Sequence, residues 1–163
     1  MRDFSFETIQ NIFSGVKQKH YKRSHFNLHM SHNSNCQKLL LKLIKGTFIK
    51  PHRHIHDLDS EILICLAGTC RVVKFHDDGR IHKSLILDTD HTPFVEIYNH
   101  EWHTVLAISQ EVILFEVKSG PFREEYSKEF PAWFKDANSP QQNLDNLKSE
   151  LFKSGEIDKY EQY

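Results

Sequence analysis

Three histidines, His52, His54 and His56, alternate with other residues just after Pro51 in the stretch GTFIKPHRHIHDLDSEILICLAG, Gly46 to Gly68. Side chains two apart on an extended strand point to the same side, so all three rings can face one space. Glu61 follows the short polar loop Asp57 to Ser60 and opens an apolar run that ends at Gly68. Further along, His103 begins an alternating apolar strand within IYNHEWHTVLAI. Imidazoles with a carboxylate make a first shell suited to a borderline divalent metal: Fe, Mn, Co, Ni, Cu or Zn rather than Mg or Ca.

The elements that must position these groups are read from periodicity. Ser5 can cap a short helix whose apolar stripe is Ile9, Ile12, Phe13 and Val16. RSHFNLHMSHNSNCQ reads as a short strand with a turn, and its histidines, together with His20, read as surface or hydrogen-bonded residues. From Lys38 onward come strands: KLLLKLIKGTFIK with a bend at Gly46, then EILICLA, CRVVKF, RIHKSLIL, FVEIY, WHTVLAI and VILFEVK. Asp78-Gly79 marks a hairpin, and no linker is long enough for a crossover helix, which excludes a parallel βαβ sheet. Seven or more short strands imply an antiparallel sandwich or small barrel. Tyr126, Phe130, Trp133 and Phe134 are expected to cover one end of the sheet. Ser139-Pro140 starts a second helix carrying Leu144, Leu147 and Leu151, which Gly155 ends before a polar tail.

Composition narrows the function. A chain of 163 residues with 39% apolar content and twelve Phe can bury a core. Its net charge of −1 gives no polycation signature for nucleic acid. No apolar run is long enough to span a bilayer, and the polar opening MRDFSFETIQ is unlike a signal peptide. Three cysteines without CxxC spacing fit a reducing compartment, so a cytoplasmic protein is expected.

Gly46-x5-His52-x-His54, then Glu61-x6-Gly68, resembles the first cupin motif, and Tyr98-x-His100-x-x-His103 stands in the place of the second. Further elements are Asn27-Leu28-His29, Gln37-Lys38-Leu39-Leu40, Pro51-His52-Arg53-His54, Phe75-x-Asp77-Asp78-Gly79, Trp102-His103-Thr104, Phe115-Glu116-Val117-Lys118-x-Gly120-Pro121 and Phe130-x-Ala132-Trp133. In order and spacing these resemble the WbuC-type cupin metalloproteins found among bacterial surface-polysaccharide genes. The resemblance covers roughly Arg23 to Phe134. It implies an all-β cupin-type antiparallel β-barrel or jelly roll over residues 23–136, here flanked by an N-terminal helix and lead-in (1–22) and a C-terminal helix and tail (137–163).

The resemblance also implies metal ligands His52, His54, Glu61 and His103. The six residues between His54 and Glu61 exceed the usual cupin spacing, whereas four follow His56, so His54 and His56 form a rival pair. The family's PHRH sequence favours His52 and His54, with His56 as the alternate ligand. His100 stands where glycine is usual and reads as an exposed turn residue. Glu116 reads as a solvated charge, Arg23 and Arg53 as surface or salt-bridging residues, and Cys65 as an inert thiol on the inward face.

The expected cofactor is Fe, Mn, Ni or Zn, and the expected partner a small polar molecule, sugar-derived if the family's genetic setting applies, with a homodimer as a further candidate. The function classes left open are a metal-dependent isomerase, epimerase or lyase, a non-haem iron dioxygenase, and a metal-dependent binding or sensing module without turnover.

Overall fold

The computed structural model describes residues 1–14, 23–55, 60–135 and 149. The second expected helix, the polar tail, Val16 of the first helix's expected stripe, His20 and His56 lie outside these residues. In chain order come helix α1 (Phe6–Ser14), strands β1 (Arg23–Asn27), β2 (Cys36–Ile44), β3 (Ser60–Ala67), β4 (Cys70–Phe75), β5 (Ile81–Leu87), β6 (Phe94–Tyr98), β7 (Trp102–Ala107) and β8 (Glu111–Ser119), and a short helix α2 (Ala132–Lys135).

All strand pairs are antiparallel. One sheet runs β1-β2-β8-β3-β6 and the other β5-β4-β7. A shared core joins them: Leu41, Leu43, Leu63, Cys65, Val112 and Leu114 from the first sheet meet Cys70, Val72, Leu87 and Val105 from the second. Cys65 is a buried member of that core, as its inward position in the strand suggested. The alternation that buries odd-numbered residues of β2 also sends Leu40 outward, where Ile9 and Phe13 of α1 cover it together with Ile113. Ser5 caps that helix, its Oγ accepting from the Thr8 N–H at 3.2 Å. On the outer face of the second sheet Val73, Phe75, Trp102 and Leu106 pack with Trp133 of α2, one of the four aromatic residues expected to cover the sheet, whereas Phe130 is exposed.

The apolar run KLLLKLIKGTFIK is not one strand. At Gly46, with φ of 76°, the chain leaves the first sheet and joins the second. The Gly46 N–H donates to Ala107 O, the Ala107 N–H to Thr47 O, and the Ile49 N–H to Val105 O. Residues 46–54 thus run antiparallel beside β7 and carry the histidine segment onto its free edge.

Gly68 turns β3 into β4 with φ of 78°, and a Cβ there would lie 2.1 Å from Glu111 O. Side chains disfavour this left-handed region, and the collision is with backbone that cannot step aside. Gly68→Ala is therefore expected to cost about 2 kcal/mol or more of folding free energy. A urea midpoint equal to that of the parent chain would contradict this account of the turn.

Candidate metal centre

Backbone pairing brings the histidines together. The His52 N–H donates to His103 O at 3.1 Å, and the His103 N–H returns to His52 O at 2.9 Å. Arg53, between the two histidines, faces the other way. Its backbone pairs with Glu129, its Nε lies 2.7 Å from Glu129 Oε2, and its guanidinium stacks 4.2 Å from the centroid of Trp102. That salt-bridging role matches its sequence reading. Alternation then turns His52 and His54 to the same side as His103, with ring centroids 4.3 to 5.7 Å apart. One candidate ligand atom from each of the three rings lies within 4.8 Å of those of the other two.

The ring orientations fix which atoms face inward. Each Nδ1 donates to a main-chain carbonyl: His52 to Lys50 O at 2.8 Å, His54 to Ser127 O at 2.6 Å, and His103 to Glu101 O at 2.9 Å. A neutral imidazole that donates from Nδ1 keeps its lone pair on Nε2, so it is the three Nε2 atoms that are left to face a ligand. Burial lowers the pKa of His52 well below the ordinary value, aided by Lys128, and lowers that of His103 against the pull of Glu61. Both rings are therefore neutral, as ligands must be.

Glu61, on β3, completes the approach. Its Oε2 lies 2.7 Å from His54 Nε2, and this buried oxygen has no other hydrogen-bond partner among the described residues. Burial pushes the Glu61 carboxyl upward, but a hydrogen bond from a protonated His54, with positive charge on the neighbouring rings and Lys118, outweighs it and holds the group well below the usual carboxylate range. With the Nδ1 proton committed to Ser127, His54 Nε2 faces the carboxylate oxygen at 2.7 Å. That contact is attractive only with a proton or a cation between them. Three Nε2 atoms and a carboxylate, 2 to 6% exposed, fit a borderline divalent transition metal. The carbonyl-anchored Nδ1 atoms are the orienting contacts that metal-bound histidines generally have. The structure therefore brings together four of the residues singled out in the sequence, while His56 lies outside the described residues.

A cavity of about 590 Å³ opens on the inner face of the five-stranded sheet. Register ties it to the histidine cluster: Glu61 is paired across with Lys118, which lines the cavity, and Leu63 with Glu116, which also does. Glu116 is 14% exposed rather than solvated, with Lys118 Nζ 3.4 Å away. Burial, then the charge of Glu61, raises its carboxyl pKa, against the pull of Lys118 and Lys128. The signal for this was its even spacing with Lys118 in VILFEVK, which puts both on the face that carries Leu114. His25, His29 and His32 also line the cavity rather than only the outer surface.

Comparisons with known proteins bear on this architecture. The model of a family described as a domain of unknown function (DUF6016) matches residues 4–87, just over half of the chain. The chain belongs to that family. The DUF6016 match runs from α1 to β5 and includes His52, His54 and Glu61 but ends before His103. No curated protein matches. Among solved structures, KdgF from Halomonas sp. is 15% identical with a TM-score of 0.51, over 64% of this chain and 84% of that one. A cupin-2 domain protein from Shewanella frigidimarina is 18% identical with a TM-score of 0.50, over 69% and 92%. The capsular polysaccharide assembling protein CapF from Staphylococcus aureus is 13% identical with a TM-score of 0.58, over 68% of this chain but only 30% of CapF. At such identities the likeness shows the fold, and that fold is the cupin fold.

His100 sits in the turn that leads into β7. It is exposed, has φ of 67°, and its N–H donates to His54 O at 2.8 Å. The left-handed backbone explains why glycine suits this place in cupins. His100→Gly is expected to keep metal content and to raise stability by up to about 1 kcal/mol. A stability loss of similar size in chemical denaturation would show that the imidazole itself holds the turn.

Proposed function

We propose that the protein binds one divalent transition metal, Fe, Mn, Ni or Zn, through His52, His54, Glu61 and His103, and uses it to act on a small polar substrate. The observation that carries this reading is the buried meeting of three Nε2 atoms with a carboxylate, each ring locked by an Nδ1–carbonyl hydrogen bond. The WbuC-type sequence resemblance supports a sugar-derived substrate linked to surface polysaccharide, as does the fold likeness to a capsular polysaccharide assembling protein.

Held there, a metal would supply Lewis acidity toward a carbonyl or a water. The chain's own residues do the rest. The three rings and the Glu61 carboxylate would hold the ion, and Leu39, Leu41 and Ile49 line the cavity with apolar surface. Glu116 is the group able to hold or give a proton beside the centre, its carboxyl pKa raised and Lys118 within 3.4 Å. That favours turnover over binding alone.

Elemental analysis of the purified protein is expected to find about one transition metal per chain, and His103→Ala to lose most of it. Full occupancy in that variant would sink the ligand assignment. Chelation should also lower the melting temperature. The metal binds the folded state, and ligand at 100 times its Kd stabilises that state by about 2.7 kcal/mol.

The two histidine registers separate cleanly by substitution. His56→Ala is expected to retain metal and His52→Ala to lose it. The reverse pattern would move the ligand pair to His54 and His56.

A further inference from the structure

We propose that the cavity beside the histidine cluster is a binding site for a small polyhydroxylated anion, with Arg23, Lys118 and Lys128 holding its carboxylate or phosphate. This deepens the reading above by naming the ligand class, and rests on that reading only for what meets the far end of the ligand.

The inner face of the five-stranded sheet divides into two ends. Along one end the register aligns Leu43, Leu41, Val112, Leu114 and Cys65, which the second sheet covers. Along the other it aligns Gln37, Lys118 and Glu61, then Asn27, Leu39, Glu116 and Leu63. A polar row across an inward face needs a reason, because dehydrating such groups without partners costs free energy. Glu61 is accounted for by the histidines. Gln37, Lys118, Asn27, Leu39 and Glu116 line the cavity.

Three cations gather there. Dehydration lowers the Lys128 ammonium pKa, with Glu116 and Glu61 opposing and Lys118 and Arg23 adding to the shift, so Lys128 senses all four of those charges. As a residue Lys128 stays exposed, which places it at the cavity mouth. Lys118 has Glu116 at 3.4 Å. Arg23 and Lys128 have no ion-pair partner among the described residues, yet they stand close enough to repel each other. The lining cations outnumber the lining carboxylates, Glu116 and Glu124, by three to two. Cations in excess of the carboxylates that line the same cavity are what an oxyanion ligand relieves, and guanidinium and ammonium groups are the side chains that recognise carboxylate and phosphate.

The remaining lining describes the body of the ligand. Leu39, Leu41 and Ile49 offer apolar contact for a carbon skeleton. Asn27 and His29 offer polar contacts, and His29 Nε2 is buried with no hydrogen-bond partner among the described residues. An orphaned donor or acceptor of this kind suits a ligand hydroxyl. The cavity volume falls in the range of small-molecule sites.

The test is calorimetric titration of the purified full chain with gluconate, glucose 6-phosphate and glucose, with metal content measured on every sample. At least one anion is expected to bind and neutral glucose not to; which anion binds tells a carboxylate from a phosphate ligand. Arg23→Gln and Lys128→Gln should each weaken that binding by about tenfold or more, with melting temperature and metal content unchanged, and Lys128→Arg should restore it. Glucose binding as tightly as the anions, or glutamine variants that bind like the parent, would overturn the proposal. So would the absence of heat with both anions at about 10 mM. Loss of anion binding with full metal content leaves the metal reading standing. Anion binding by a chain that holds no metal upholds this site and removes the other.

Discussion

A buried carboxylate facing a buried imidazole lone pair is repulsive unless positive charge lies between them, and the centre of this fold is built around that constraint. His54 donates its Nδ1 proton to Ser127, so the Nε2 facing Glu61 has none to share while the ring is neutral. His52 and His103 add two further lone pairs to the same space. Burial alone would protonate Glu61, yet its surroundings win and keep it ionised. Removing one partner of a buried charge pair typically costs about 3–5 kcal/mol, so such an arrangement persists only where something offsets it. A divalent cation would offset all four donors at once.

The rest of the molecule serves that meeting point. The corner at Gly46 takes the chain from one sheet to the other, and so the histidine segment reaches β7 while Glu61 arrives on β3 from the opposite sheet. Three of the four donors thus depend on the second sheet and one on the first. The centre forms only when the two sheets pack. The shared leucine and valine core that joins them is therefore also what fixes the donor geometry. Main-chain carbonyls, which no substitution removes, orient the rings.

Much of this was legible in the sequence, for physical reasons. Period-two patterning places alternate residues on one face, so every expected strand appears, and His52 and His54 point together as their spacing required. The Ser5 cap and the stripe of α1 were equally local signals. What was not legible depended on pairing between distant strands. Nothing within KLLLKLIKGTFIK says that its two halves belong to different sheets. Glu116 looks like an ordinary strand-end charge until register sets it opposite Leu63 and next to the row of Glu61. His25 and His29 looked like surface residues because the cavity they line is made by β1 lying along β2, a long-range arrangement. The left-handed backbone at His100 was visible only as a histidine in a place where glycine is usual.

X-ray absorption at the edge of the metal bound to the purified protein tests the central claim most directly, because it counts ligands without needing a substrate. The account predicts a shell of nitrogen and oxygen at about 2.0–2.2 Å, with multiple scattering from three imidazoles. A shell of oxygens alone, or of sulfur, would place the metal elsewhere and contradict the assignment of His52, His54, Glu61 and His103.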